Sequence, residues 1–433
     1  MKTMFSPKMF IKSVAYTGLL GIEHLYIAIF PDDYHGYQKR GTLYQHLQNN
    51  QKAIDDYSKS IDLNNRMTES FFNRGAVYAE TGDLTKSIRD FSTALSLESD
   101  NPNIWLSRGK VYCLFEKFEH GIHDFKQALR LQPDYLEALY FSGVANFELG
   151  RSEPGLEFLS KAIELDEFYF NAYLARGIHY RQTNRQDDAI RDLSKAIEID
   201  PRASSAFLNR GVAHWSLGNN EQALKDFSRA IKLSPRDYDG YMQRSKVHIL
   251  NNSLDAAEKD LRKVIKLQPN YPHAYHNRGT VHFMKGDYEA AISDFQKAIE
   301  LNPDEPTPYE NLGKAYYLKG NMQDALQAYQ KLIELEPQGD QAQYYLGIVQ
   351  KAMNQFDHAV QAFTQAIQRN NQEAIYYFSR GEAYYNLGEF QKAKVDFEEG
   401  LSLAPEFDKN QAIHFFMQNI KQKLSDGNQR KSH

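Results

Sequence analysis

Cysteine occurs once in 433 residues, at Cys113, so neither an internal disulfide framework nor a Cys-based zinc site can form. With no paired histidine identifiable, Cys113 reads as a small buried side chain and not a nucleophile. Tryptophan is nearly as scarce, with two residues. Basic charge is not in excess: 51 Lys and Arg stand against 56 Asp and Glu, a formal net charge of −5. That balance argues against nucleic acid as a partner, because a nucleic-acid binder needs a basic stripe. The phosphate-loop pattern GxxxxGK followed by Ser or Thr is missing. Carboxylate pairs such as Asp187 and Asp188 sit at a helix start, where they suit the dipole, and nothing indicates a closed acid–base pocket. An enzyme is therefore not expected. What the chain does have is 42% hydrophobic and 25% charged residues, enough for a packed core.

Small residues recur with a strict period. Gly41, Gly75, Gly109, Gly143, Gly177, Gly211, Gly279, Gly313, Gly347 and Gly381 are spaced by 34 residues, and Ser245 fills the one empty slot. Eleven repeats thus run from Tyr34 to Phe407 without insertion or deletion, and this small residue is repeat position 8. Position 20 is always small, from Ala53, Ser87 and Gly121 to Ala393. Position 24 is always large and apolar or aromatic, from Tyr57, Phe91 and Phe125 to Phe397. Pro31, Pro133, Pro201, Pro235, Pro269, Pro303, Pro337 and Pro405 share one phase.

Each repeat reads as two helices. In the eighth, Ala274–Lys285 and Tyr288–Leu301 both carry apolar residues at helical spacing. Between helices stand Gly82, Gly150, Gly218, Gly286, Gly320 and Gly388, or Asn184, Asn252 and Asn354, which tolerate the positive φ of a helix C′ position. The phased prolines stop the second helix. Small residues at positions 8 and 20 let two helix axes approach, and the large side chain at position 24 fills the space beside them.

Tyr275, Arg278-Gly279, Ala291, Phe295, Ala298 and Pro303 complete a pattern by which the chain resembles the tetratricopeptide repeat family over residues 34–407. The resemblance implies an all-α fold, a right-handed superhelical α-solenoid of antiparallel helix pairs. It implies a non-catalytic scaffold or adaptor that binds peptides or amphipathic helices on a concave face lined by first helices. No cofactor is implied. His273 and His276 have a metal-compatible spacing, but no acidic or cysteine ligand accompanies them, so no metal is expected.

The chain itself adds a charge pattern. Position 7 is Arg40, Arg74, Arg108, Arg176, Arg210, Arg244, Arg278 and Arg380; position 23 of the same eight repeats is Asp56, Asp90, Asp124, Asp192, Asp226, Asp260, Asp294 and Asp396. The other three repeats lose both charges together: Ser142 with Phe158, Leu312 with Ala328, Leu346 with Ala362. Matched loss predicts a structural bridge between the two helices of one repeat, in preference to an arginine ladder for an acidic partner.

The family pattern places partner contacts at positions 2, 5, 9, 12 and 13 of first helices. Carried onto this chain, the groove comprises Phe72, Leu106, Tyr140, Phe147, Leu174, Ile178, Leu208, Trp215, Met242, Phe283, Tyr317, Tyr344, Phe378 and Tyr385. It is expected to be largely apolar, although packing between repeats competes for positions 5, 9 and 12. The family's clamp for acidic chaperone C-termini needs Asn at position 9 of one repeat, which this chain never has, so chaperone tails are disfavoured partners.

The ends depart from the repeat. Residues 1–33 are expected to form a degenerate capping helix ending at Pro31, in a cytoplasmic protein. The alternative is a secretion signal or membrane anchor, with Lys2, Lys8 and Lys12 ahead of Val14–Ile22, which would make the chain a membrane-associated or exported assembly factor. That apolar stretch is short for a span, Glu23 opposes insertion by about 2.5–3.5 kcal/mol, and no clear cleavage site follows. Residues 408–424 carry Ile413, Phe416, Met417, Ile420 and Leu424 at helical spacing and suit a C-terminal capping helix; 425–433 reads as a disordered polar tail.

Overall fold

The computed structural model describes residues 7–431, with side chains described for Tyr16 and from Gly18 to Ser425. Among these residues there is no strand. By its contacts the chain divides into two compact halves, Met1–Leu217 and Gly218–His433. The N-terminal half holds α1 (Pro7–Ile29), the pairs α2 (Tyr34–His46) and α3 (Asn50–Leu63), α4 (Thr68–Glu80) and α5 (Leu84–Leu97), α6 (Pro102–Leu114) and α7 (Phe118–Leu131), α8 (Leu136–Glu148) and α9 (Ser152–Leu165), α10 (Phe170–Gln182) and α11 (Gln186–Ile199), then α12 (Ser204–Ser216). The C-terminal half starts with α13 (Asn220–Leu233) and continues with α14 (Tyr238–Leu250) and α15 (Leu254–Leu267), α16 (Pro272–Met284) and α17 (Tyr288–Leu301), α18 (Pro306–Lys319) and α19 (Met322–Leu335), α20 (Asp340–Ala352) and α21 (Phe356–Arg369), α22 (Ala374–Asn386) and α23 (Phe390–Leu403). A 3-10 turn, Pro405–Lys409, leads into α24 (Gln411–Lys431). Even-numbered helices up to α22 are first helices of repeats. Within each half, a helix packs on its sequence neighbours, and most first helices also touch the next first helix, as a solenoid requires.

Two glycines show how the pairs close. A Cβ on Gly121 would lie 2.6 Å from Cys113 Sγ, near the turn of α6 and α7. A Cβ on Gly109 would lie 2.5 Å from the Phe125 ring, farther from that turn. Such nested contacts are those of antiparallel helices, and no larger residue fits either place. The rings at position 24 fill the gap: Phe91, Phe125, Phe227, Phe295, Phe363 and Phe397 are all buried. Truncating one to Ala would cost about 3–5 kcal/mol.

The turns are more uniform than the residues filling them. All nine expected Gly and Asn residues have positive φ, and so do Gln48 (φ 59°) and Glu116 (φ 57°), which the sequence does not single out. The turn closes by backbone bonds such as Lys117 N–H to the Tyr112 carbonyl at 2.9 Å, which impose the left-handed residue whatever its side chain.

At the N-terminus, α1 lays Leu20 and Ile27 on the first repeat, where Leu20 joins Tyr44, Ala53, Tyr57 and Val77. At the other end, α24 sets Ile413 and Ile420 against Phe378, Ala393 and Phe397. Its backbone continues to Lys431, past the Leu424 at which the sequence predicts a stop. The side chains of Lys2, Lys8, Lys12 and Val14, and those after Ser425, lie outside the described residues. No described helix is long and apolar enough to cross a membrane.

Candidate partner-binding face

The charge pattern resolves into buried bridges. Seven pairs are bidentate: Arg40 with Asp56, Arg74 with Asp90, Arg108 with Asp124, Arg176 with Asp192, Arg244 with Asp260, Arg278 with Asp294, and Arg380 with Asp396. In each, Nε donates to Oδ2 and Nη2 to Oδ1 at 2.6–3.0 Å. Of the eighth, Asp226 is buried and Arg210 Nη1 donates to Ser194 Oγ at 3.0 Å. These arginines hold helices together, so they are not a ladder for an acidic partner.

Sequence reasoning missed a third contact. Nη1 of Arg74, Arg108, Arg176, Arg244 and Arg380 donates, as Arg210 does, to a hydroxyl of the preceding repeat: Ser58, Ser92, Ser160, Ser228 and Thr364, at 2.8–3.1 Å. Each guanidinium therefore ties two repeats as well as two helices. The signal was present at position 25. Hydroxyls precede the arginines there, with Arg262 before Arg278 the exception, whereas Lys126, Gln296 and Gln330 precede Ser142, Leu312 and Leu346.

The fourteen groove residues divide into groups. Tyr140, Phe147, Leu174 and Ile178 come together in a recess of about 230 Å3 between α8 and α10, with Val144 and Ala175 on its wall and Glu148, Asn171 and Gln182 on its rim. His179 backs this recess, stacked 3.6 Å from Phe147 with planes 2° apart. Burial, helped by Arg185, lowers the pKa of His179. Phe283, Tyr317 and Tyr344 meet in a second recess of about 280 Å3 along α16, α18 and α20, where Leu318, Tyr345 and Ile348 join them. Phe72 lines a third, more polar hollow beside Thr68, Glu69 and Glu98. Leu208 and Trp215 are half-buried.

Three expected groove residues are core instead. Leu106, Met242 and Phe378 are buried, each in the apolar cluster of its own repeat. At Leu106 and Met242, position 5 is covered by position 6 of the following repeat. Phe141 packs on the cluster holding Leu106, and Asn277 Nδ2 reaches Met242 Sδ at 3.7 Å. Tyr140 stays open beside Ala175. Phe378 is closed in by Phe407, ring centroids 5.7 Å apart. Tyr385 is partly covered by Phe416 of α24 at 5.1 Å.

A matched motif flanks both recesses. Lys110 Nζ lies 4.7 Å over the Phe141 ring, which stacks on Phe125; Lys314 Nζ lies 4.7 Å over Tyr345, which stacks on Tyr329. Both lysines are also ion-paired, Lys110 to Glu137 at 2.8 Å and Lys314 to Glu310. Position 13 offers further apolar surface: Leu114, Leu250, Met284 and Leu318 are all exposed. Cys113 is half-buried, and burial pushes its thiol up to about 11, which suits packing and not nucleophilic chemistry. His273 and His276 line a small hollow with Asn302 and Glu305.

Tetratricopeptide repeat family models match most of the chain. The matched residues are 34–66, 77–114, 115–170, 174–238, 238–271, 261–293, 281–320, 313–354, 341–370 and 374–407. No curated protein matches it. Among solved structures, Cut9–Hcn1, an APC/C hetero-tetramer, is similar at 13% identity over 95% of this chain and 94% of that chain, with a TM-score of 0.44. A tetratricopeptide repeat protein of Parabacteroides merdae is similar at 21% identity over 57% of this chain and 98% of that chain, TM-score 0.46. Yeast Tom70 is similar at 16% identity over 90% of this chain and 96% of that chain, TM-score 0.40.

Proposed function

The chain belongs to the tetratricopeptide repeat family, whose members are in general protein-interaction scaffolds, and from that premise we propose that its first-helix face grips apolar side chains of partner proteins through the two recesses. One observation carries this reading: in each half, consecutive first helices leave an open, mainly apolar hollow. A hollow of this size takes one or two large side chains, and aromatic walls reward them most. The partner segment is an amphipathic helix or an extended peptide with spaced apolar residues. Binding is reversible and makes no covalent bond. Each half has its own recess, so each half offers its own place for an apolar anchor. Acidic tails suit this face poorly, since Lys110, Lys314 and Lys351 are already paired with Glu137, Glu310 and Glu382.

Selection from a displayed random-peptide library on the purified chain tests the reading. Enriched peptides are expected to carry apolar residues three and four apart, and to lose at least about 30-fold in affinity on the double change Phe147→Ser with Leu174→Ser, or on Phe283→Ser with Tyr317→Ser. Peptides indifferent to both double changes would place binding elsewhere.

A further inference from the structure

α1 stands at the phase of a second helix, yet among the described residues no first helix precedes it. Ala53, Asp56, Tyr57 and Ser60 of α3 are buried beneath their own first helix. One period upstream, the same positions hold Leu19, Ile22, Glu23 and Tyr26. The chain does not turn back before them. Val14 occupies the slot that Gly82 fills, a β-branched residue that resists positive φ, and α1 runs straight through from Pro7.

The face that meets a first helix in complete repeats is therefore bare. Of those positions Leu19 is 47% exposed, Ile22 63% and Tyr26 38%; beside them Leu25 is 64%, Ile29 60% and Phe30 52% exposed. Leu19, Ile22, Tyr26 and Ile29 follow the three-four-three spacing of a coiled-coil seam. An apolar stripe of this extent on one helix marks a contact surface.

We propose that this seam closes against the α1 of a second copy of the chain, pairing two chains about a two-fold axis. Charge favours that occupant. The six exposed apolar side chains carry none and the half-buried Glu23 lies at their edge, so the stripe is complementary to itself, as a two-fold contact requires. Area is sufficient: the six side chains offer roughly 600 Å2 per copy, so two copies bury on the order of 1,200 Å2, the lower edge of standard interfaces. Anionic lipid, the rival occupant of such a stripe, meets Asp32 and Asp33 immediately beyond Phe30, which it repels.

Light scattering on the full chain during size exclusion tests this. The wild type is expected at twice the chain mass. Ile22→Lys with Leu25→Lys is expected at the single mass, with unchanged helical circular dichroism and thermal midpoint, since both side chains are mainly in solvent. As a second readout, Ile22→Cys is expected to give a doubled band with a short bismaleimide, whereas the wild type, whose Cys113 is half-buried, is not. A wild type of single mass up to about 100 μM overturns the proposal. So does a doubled mass that survives both lysines. Flotation of a single-mass chain with vesicles assigns the stripe to lipid and overturns it too.

Discussion

Eight repeats carry an arginine at position 7 with an aspartate at position 23; repeats 4, 9 and 10 carry neither, and all three line a recess. In the eight, the guanidinium occupies the space between its own second helix and, in most cases, a hydroxyl of the repeat before. In the three, that space goes to small or apolar groups: Ser142, Leu312, Ala328 and Ala362 are all buried. The helices stay paired either way. The charge pair is therefore an orienting device, replaceable by apolar volume, and each repeat that replaced it contributes its first helix to an apolar hollow, beside α10 and α16 of charge-paired repeats.

That comparison can be broken. The largest effect is expected from Asp294→Ala, which leaves Arg278 largely buried without either carboxylate bond. Urea unfolding should show a loss of about 3 kcal/mol. Adding Arg278→Leu, so that repeat 8 copies Leu312 and Ala328 of repeat 9, should restore more than half of it. A loss below about 0.5 kcal/mol for the single change would mean an exposed-type pair and no difference between the two classes. A smaller effect sharpens the same contrast. Ser92→Ala removes one hydrogen bond to Arg108 and should cost about 1 kcal/mol, whereas Lys126→Ala, at the same position ahead of Ser142, should leave stability unchanged.

The fold was legible because the period forces it. A residue 34 places on meets the same neighbours, so Gly109 and Phe125 disclose a helix contact without coordinates. The bridges were legible because both partners vanish together. The groove was only half legible. Position 5 follows a local rule that one repeat alone does not contain: Leu106 sinks under Phe141 of the next repeat, while Tyr140 stays open beside Ala175. Phe378 needed knowledge of Phe407, at the far end of its own repeat, and of α24, which lies outside it. Gln48 and Glu116 at left-handed positions went unread because the backbone bonds, not the side chains, set those turns.

The central claim is that partners seat on first helices at the two recesses. Hydrogen–deuterium exchange of the full chain, with and without a selected peptide at saturation, tests it most directly. New protection is expected in α8 and α10, in α16, α18 and α20, or in both groups, with α9, α11, α17 and α19 unchanged. Protection confined to those second helices, or spread evenly over all repeats, would contradict it.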